Sequence, residues 1–161
     1  MASFPTRLSL GFLAGSLSYL LFQGAFGSAL YVAQVIPSLP WSLAPVPPFD
    51  LPKSLSLGFW AGLWGVAYAL LEPRLTARLG WVLGGLVFGL APLSVYWLVV
   101  LPLKNLGIGG GFHSSMMLIE LGFHAVFGIG LAILLRTGFV LIRRKLRTSP
   151  RPLFTLEGKA K

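Results

Sequence analysis

Apolar residues fall in four long blocks along this chain, separated by short polar, proline-rich or glycine-rich breaks. A bilayer core about 30 Å thick is crossed by roughly 20 apolar helical residues. The blocks therefore predict membrane spans over about 8–36, 55–71, 81–103 and 116–142. The first is long enough to tilt or to extend past the interface. The second is short, the third contains Pro92, and the fourth continues past Arg136 to Ile142. Arg7, the apolar run behind it and "AFGSA" (Ala25–Ala29) have the order of a signal peptide. The apolar character persists to Ile36, which favours an uncleaved first helix.

The breaks have characters of their own. Pro37–Ser54, "PSLPWSLAPVPPFDLPKS", is rich in proline, which fixes φ and predicts a stiff, extended loop. Trp41 and Phe49 are expected to rest on the bundle as its lid. Lys104–Ser115, "KNLGIGGGFHSS", is glycine-rich but lacks the GK[ST] ending of a phosphate-binding loop. Ser114 or Ser115 is the expected N-cap of a fourth helix that enters the membrane near Met116.

Composition agrees with the pattern. Charged residues make up 11% of the chain, against about 25% in soluble domains, and mean hydropathy is +0.81. The expectation is an all-α integral membrane four-helix bundle over residues 1–145, followed by a basic tail at 146–161. A net charge of +9 would suggest nucleic acid in a soluble protein. Here the cations gather between and after the apolar blocks, with no aromatic platform beside them, and nucleic acid is not expected as a partner. Arg7, Arg74, Arg78, Arg143, Arg144, Lys145, Arg147 and Arg151 fall on one side of a four-span chain, and Lys53 and Lys104 on the other. The positive-inside rule then places both termini in the cytoplasm. Arg136 can snorkel to the headgroups, and Arg136, Arg143, Arg144 and Lys145 are the expected lipid-headgroup contacts. Trp41, Trp81 and Trp97 fit an interfacial aromatic belt. The absence of cysteine excludes disulfides and thiol chemistry.

Helices in lipid associate largely through small residues that let backbones approach. Gly11 with Gly15, Gly24 with Ser28, Gly58 with Gly62, Gly80 with Gly84, and Gly85 with Gly89 are spaced i, i+4, and Ala61, Gly65 and Ala69 form a neighbouring stripe. These faces predict close packing within the bundle or between protomers. "LSLGFLAG" (Leu8–Gly15) recurs as "LSLGFWAG" (Leu55–Gly62). In a four-span chain the copies enter from opposite faces, as inverted repeats do. Their brevity favours convergence on one packing motif.

The segment "GFHSSMMLIELGFH" (Gly111–His124) holds both histidines of the chain and one of its four acids. At a rise of 1.5 Å per residue, Glu120 lies about 6 Å and His124 about 12 Å below the outer boundary. They share a helical face. Gln23, Ser94, Tyr96, Trp60 and Trp64 fall in the same outer half, which predicts a layer of Gln23, Trp60, Tyr96, Glu120 and His124. Ionisable groups inside a membrane face the bundle interior or a water-filled cavity. Three chemistries fit: a satisfied Glu–His pair locking helix four to Gln23 or Tyr96, a proton or ion pathway, or a haem or metal site that adds His113. The last is the poorest, because the chain has neither a third histidine nor an HExxH motif. Asp50, the only aspartate, lies in the outer loop, so no Ser–His–Asp arrangement forms. No catalytic residue, metal site or cofactor is expected.

"SLAPVPPFDLPKSLSLGFWAGLWG" (Ser42–Gly65) and "VVLPLKN" (Val99–Asn105) resemble a family of small four-span membrane proteins predicted from bacterial genomes, and the resemblance extends from the first helix to "GIGLAILLR" (Gly128–Arg136). It implies a bacterial inner membrane and the four-helix layout, and carries over no functional residue. The expected role is a non-enzymatic packing or accessory subunit whose partners are the bilayer and a homo-oligomer or larger membrane complex. The alternative is a small-solute or proton-coupled permease using Glu120 and His124, with a haem- or metal-binding redox subunit behind it.

Overall fold

The structure, a computed structural model, describes residues 3–47 and 49–148, with side chains described to Lys145. The tail expected beyond Thr148 lies outside the described residues. Among them three helices are long and apolar enough to cross a membrane: α1, Phe4–Val32, α2, Lys53–Leu103, and α3, Ser114–Lys145, which continues helical to Thr148. The rest is connection, including a small antiparallel hairpin of β1, Pro45–Val46, and β2, Leu51–Pro52.

Local chemistry sets the helix ends. Ser3 caps α1 through its side chain, which accepts from the Thr6 amide at 3.4 Å. At the other end Gln34 takes a positive φ of 58°. That left-handed turn stops α1 four residues short of Ile36. The Met117 amide bonds the His113 carbonyl at 3.0 Å, so α3 starts from His113 and not from a serine cap at 114 or 115.

Gly80 sits inside α2 with φ 75° and ψ 167°, outside helical space. It divides α2 into a first limb, residues 53–79, and a second, 81–103. The limbs fold against each other. Tyr68 meets Phe88 with ring centroids 4.9 Å apart, and Trp64 meets Phe88 at 6.2 Å. Twenty residues of straight helix would separate such pairs by about 30 Å. The first limb outruns its predicted end at 71, running through "EPRLTARL" (Glu72–Leu79) with Pro73 inside it and stopping at the glycine.

Two kinds of interface hold the helices. α1 meets the first limb backbone to backbone: a Cβ added at Gly11 would lie 2.7 Å from that of Ala69, and one at Gly15 would lie 3.0 Å from the Gly65 Cα. The second limb meets α3 likewise, Gly85 facing Gly128 and Ala132, and Gly89 facing the His124 carbonyl. Between these close pairs lie bulky side chains. The core gathers Ala14, Ala61, Tyr68, Ala69, Phe88, Phe127, Leu131, Ala132 and Leu135. The predicted glycines thus take different places. Gly11, Gly15 and Gly89 lie in the backbone seams, and Gly62 lies under Phe12 and Ser16. Gly58 has only Tyr19 near, at 3.8 Å, and Gly84 rests on Leu75 between the limbs. Gly80 does not share a helical face with Gly84, because its φ is that of a turn.

The two copies of the eight-residue repeat run antiparallel and meet at their C-terminal ends, where Gly15 approaches the Ala61 backbone and the equivalent residues Phe12 and Phe59 meet edge to face at 5.9 Å. The rest of each copy faces other residues: Gly11 lies against Gly65 and Ala69, and its equivalent Gly58 has only Tyr19 near.

Candidate functional site: a polar layer between the helices

Two π-helical turns frame the layer. Ser18–Gln23 interrupts α1 and Tyr96–Val100 interrupts the second limb of α2. Such wide turns recur at functional sites because they rotate side chains out of the α-helical register. The first presents Gln23, the second Tyr96 and Trp97. α3 supplies Glu120 and His124, held near the second limb by the close approach of Gly89 to the His124 carbonyl.

The hydrogen bonds differ from the predicted pairing. The Glu120 carboxylate accepts from the Trp97 indole N–H, and the Tyr96 phenol interacts with the same carboxylate. His124 turns to its own helix, where Nδ1 lies 2.8 Å from the Glu120 carbonyl. A carbonyl only accepts, so the proton sits on Nδ1. Nε2 is left on the other side of a ring whose centroid lies 6.1 Å from that of Tyr96. Gln23 bonds neither side chain: its amide donates to the Phe123 carbonyl at 3.0 Å. One turn deeper, fully buried Ser18 donates to the Phe127 carbonyl at 2.8 Å.

Gln23, Tyr96, Glu120 and His124 are therefore brought to one level, but Glu120 and His124 do not pair through their side chains. Trp60 is absent from the layer. It is 59% exposed, because Gly58, Ala61 and Gly62 turn the opposite face of the first limb inward. Ser94 bonds the Leu90 carbonyl of its own helix, and Trp64 packs on Phe88. Trp97, expected in an interfacial belt, is the tryptophan of the site. Its one sequence signal was adjacency to Tyr96. His113 precedes α3 and is exposed. Among the described residues no three His, Cys, Asp or Glu side chains converge. A shallow concavity of about 570 Å³ at the C-terminal end of α1, lined by Tyr31, Val32, Gln34, Val35, Ile36 and Pro37, includes none of the layer.

A second cluster, which the sequence reading missed, lies at the other end of the bundle. Arg7 pairs with Glu72 at 2.9 Å and donates from Nε to the Ala69 carbonyl. Its guanidinium stands 5.4 Å from the centre of the Phe139 ring, and Thr76 donates to the other Glu72 oxygen at 3.2 Å. One arginine thus ties α1, α2 and α3 together. The signal was present: Arg7 opens the first apolar block and Glu72 closes the second, at matching ends of adjacent antiparallel helices. Arg136 stands over the Trp81 ring at 5.7 Å, beside the Gly80 turn, and Arg143, Arg144 and Lys145 follow on α3.

No family model, curated protein or solved structure matches the chain.

Proposed function

We propose that the chain is a four-span protein of the bacterial inner membrane, with both ends cytoplasmic, acting as a non-enzymatic accessory subunit of a larger membrane assembly. The reversal at Gly80, which divides the long middle helix into two limbs of spanning length, supports four crossings. The basic residues near the Gly80 turn and on late α3 support the orientation. The carrying observation is where the polar side chains go. Ser16, Ser18, Gln23 and Trp97 each donate to a neighbouring helix, three to a backbone carbonyl and one to Glu120. Polar groups so engaged fix helix register. The glycine seams lie inside the fold, which leaves the outward leucine-rich faces for partners.

Light scattering of the full chain, purified in mild detergent, tests the assembly. A particle larger than the 17.4 kDa protomer is expected, and a lone monomer under the mildest extraction would refute it.

One observation favours a second reading, a proton-coupled permease. Both π-helical turns border a layer that holds Tyr96, Glu120 and His124. Proton or solute flux in reconstituted vesicles would then fall in Glu120→Gln and His124→Ala, and unchanged flux in both would eliminate it.

A further inference from the structure

The connection between α1 and α2 does not stand off the bundle. Pro40 packs on Gly27, Trp41 packs on Gly24, and the Trp41 indole donates to the Leu20 carbonyl at 3.3 Å. The chain thus turns at the end of α1 and runs back along it. Leu20 is twelve residues before Val32, about 18 Å down the helix axis at 1.5 Å per residue. The first limb of α2 starts at that depth, with Ser54 beside Tyr19 and the Ser16 hydroxyl bonded to the Gly58 carbonyl. The hairpin of β1 and β2 therefore occupies the space above a recessed helix end.

The chemistry of the segment suits an apolar setting. Non-helical backbone at membrane depth is tolerated only where it is packed on protein or lines a water-filled cavity, so that its polar groups are satisfied. Six residues between Pro37 and Ser54 are prolines and have no N–H to satisfy. The Lys53 amide bonds Ala44, the Ser54 amide bonds Ser42, and the Ser42 amide bonds the Ser54 hydroxyl, at 2.8–3.0 Å. Asp50 and Lys53 are its only charges. Leu43 and Phe49 are 82% and 79% exposed, more than the outward-facing helix residues Leu98 at 62% and Leu118 at 69%.

Resting on the membrane reading above, we propose that Pro37–Ser54 is a re-entrant element that returns along α1 and presses Leu43 and Phe49 against the acyl chains of the outer leaflet. It lies at interfacial depth, with Asp50 turned to the headgroups. It also gives a reason for the short second apolar block: the hairpin covers the outer level that the first limb does not reach.

The chain has no cysteine, so single spin labels report one position each. Leu43→Cys and Phe49→Cys would be labelled in the full chain in nanodiscs, with Leu21→Cys as a lipid-facing reference (55% exposed) and Asn105→Cys as a loop reference. Power saturation compares collision with oxygen, which partitions into lipid, against a water-soluble nickel chelate. Oxygen should dominate at 43, 49 and 21, and nickel at 105. Nickel dominance at 43 and 49 with Leu21 still in lipid overturns the re-entrant element alone. Protection from both reagents means a protein covers the hairpin and overturns it equally. Nickel dominance at Leu21 overturns the membrane reading itself. If one label unfolds the chain, the other position carries the test.

Discussion

Gly65→Ala is the most informative single perturbation of this fold. The added Cβ would fall inside van der Waals contact of the Gly11 carbonyl oxygen and 2.8 Å from the Cα and N of Gly15, where ordinary contact begins near 3.4 Å. All three obstacles are backbone atoms, so no side-chain rotation relieves them, and α1 must move away from the first limb. Overpacking of this kind costs about 1–3 kcal/mol. On the proposed membrane reading alanine's helix propensity offers little in return, because a spanning segment is already helical before the bundle forms. The expected loss is about 1–3 kcal/mol. Gly58→Ala is the control. It belongs to an equally spaced pair with Gly62, yet its Cβ would meet only Tyr19 at 3.8 Å, and the expected change is within about 0.5 kcal/mol. Denaturant or thermal unfolding in mild detergent, followed by the fluorescence of the five tryptophans, measures both. Equal midpoints for the two variants would refute the assignment of the seam.

The remaining predictions use the same assay. Trp97→Phe removes the indole donor to Glu120 and should cost about 1–2 kcal/mol, and a double-mutant cycle with Glu120→Gln should show coupling above about 0.5 kcal/mol. Ser18→Ala breaks a buried bond to α3 and should cost about 0.6–1.7 kcal/mol; Ser28→Ala, whose bond stays within α1, should be close to neutral. Gly80→Ala should cost about 1–3 kcal/mol through backbone strain alone, because φ 75° with ψ 167° is a region that essentially only glycine occupies and nothing lies within 4 Å of its Cβ position. Arg7→Gln should cost at most about 1 kcal/mol, the scale of a partly exposed ion pair, because both partners keep 27% of their side-chain surface exposed.

The all-α character and the apolar helices were legible in the sequence because hydropathy over about 20 residues is a local property. The shared face of Glu120 and His124 was legible for a similar reason, since i, i+4 spacing is intrinsic to one helix. Their partners were not. The imidazole found the carbonyl one turn behind it, and the carboxylate found Trp97, whose direction depends on a π-helical turn that no local spacing specifies. The glycines make the same point. Spacing treated Gly58, Gly62, Gly80 and Gly84 alike, yet one is a turn, one faces a single ring and two sit under side chains, because each role depends on what the neighbouring helix presents. By itself the sequence determined that this chain has little polar surface and long helical blocks, with most cations at one end of them. Only the tertiary structure decided which faces meet, which tryptophan holds Glu120, that Arg7 reaches Glu72, and that the proline-rich segment returns along α1. Those outcomes depend on distances between residues far apart in the chain, and no local pattern encodes them.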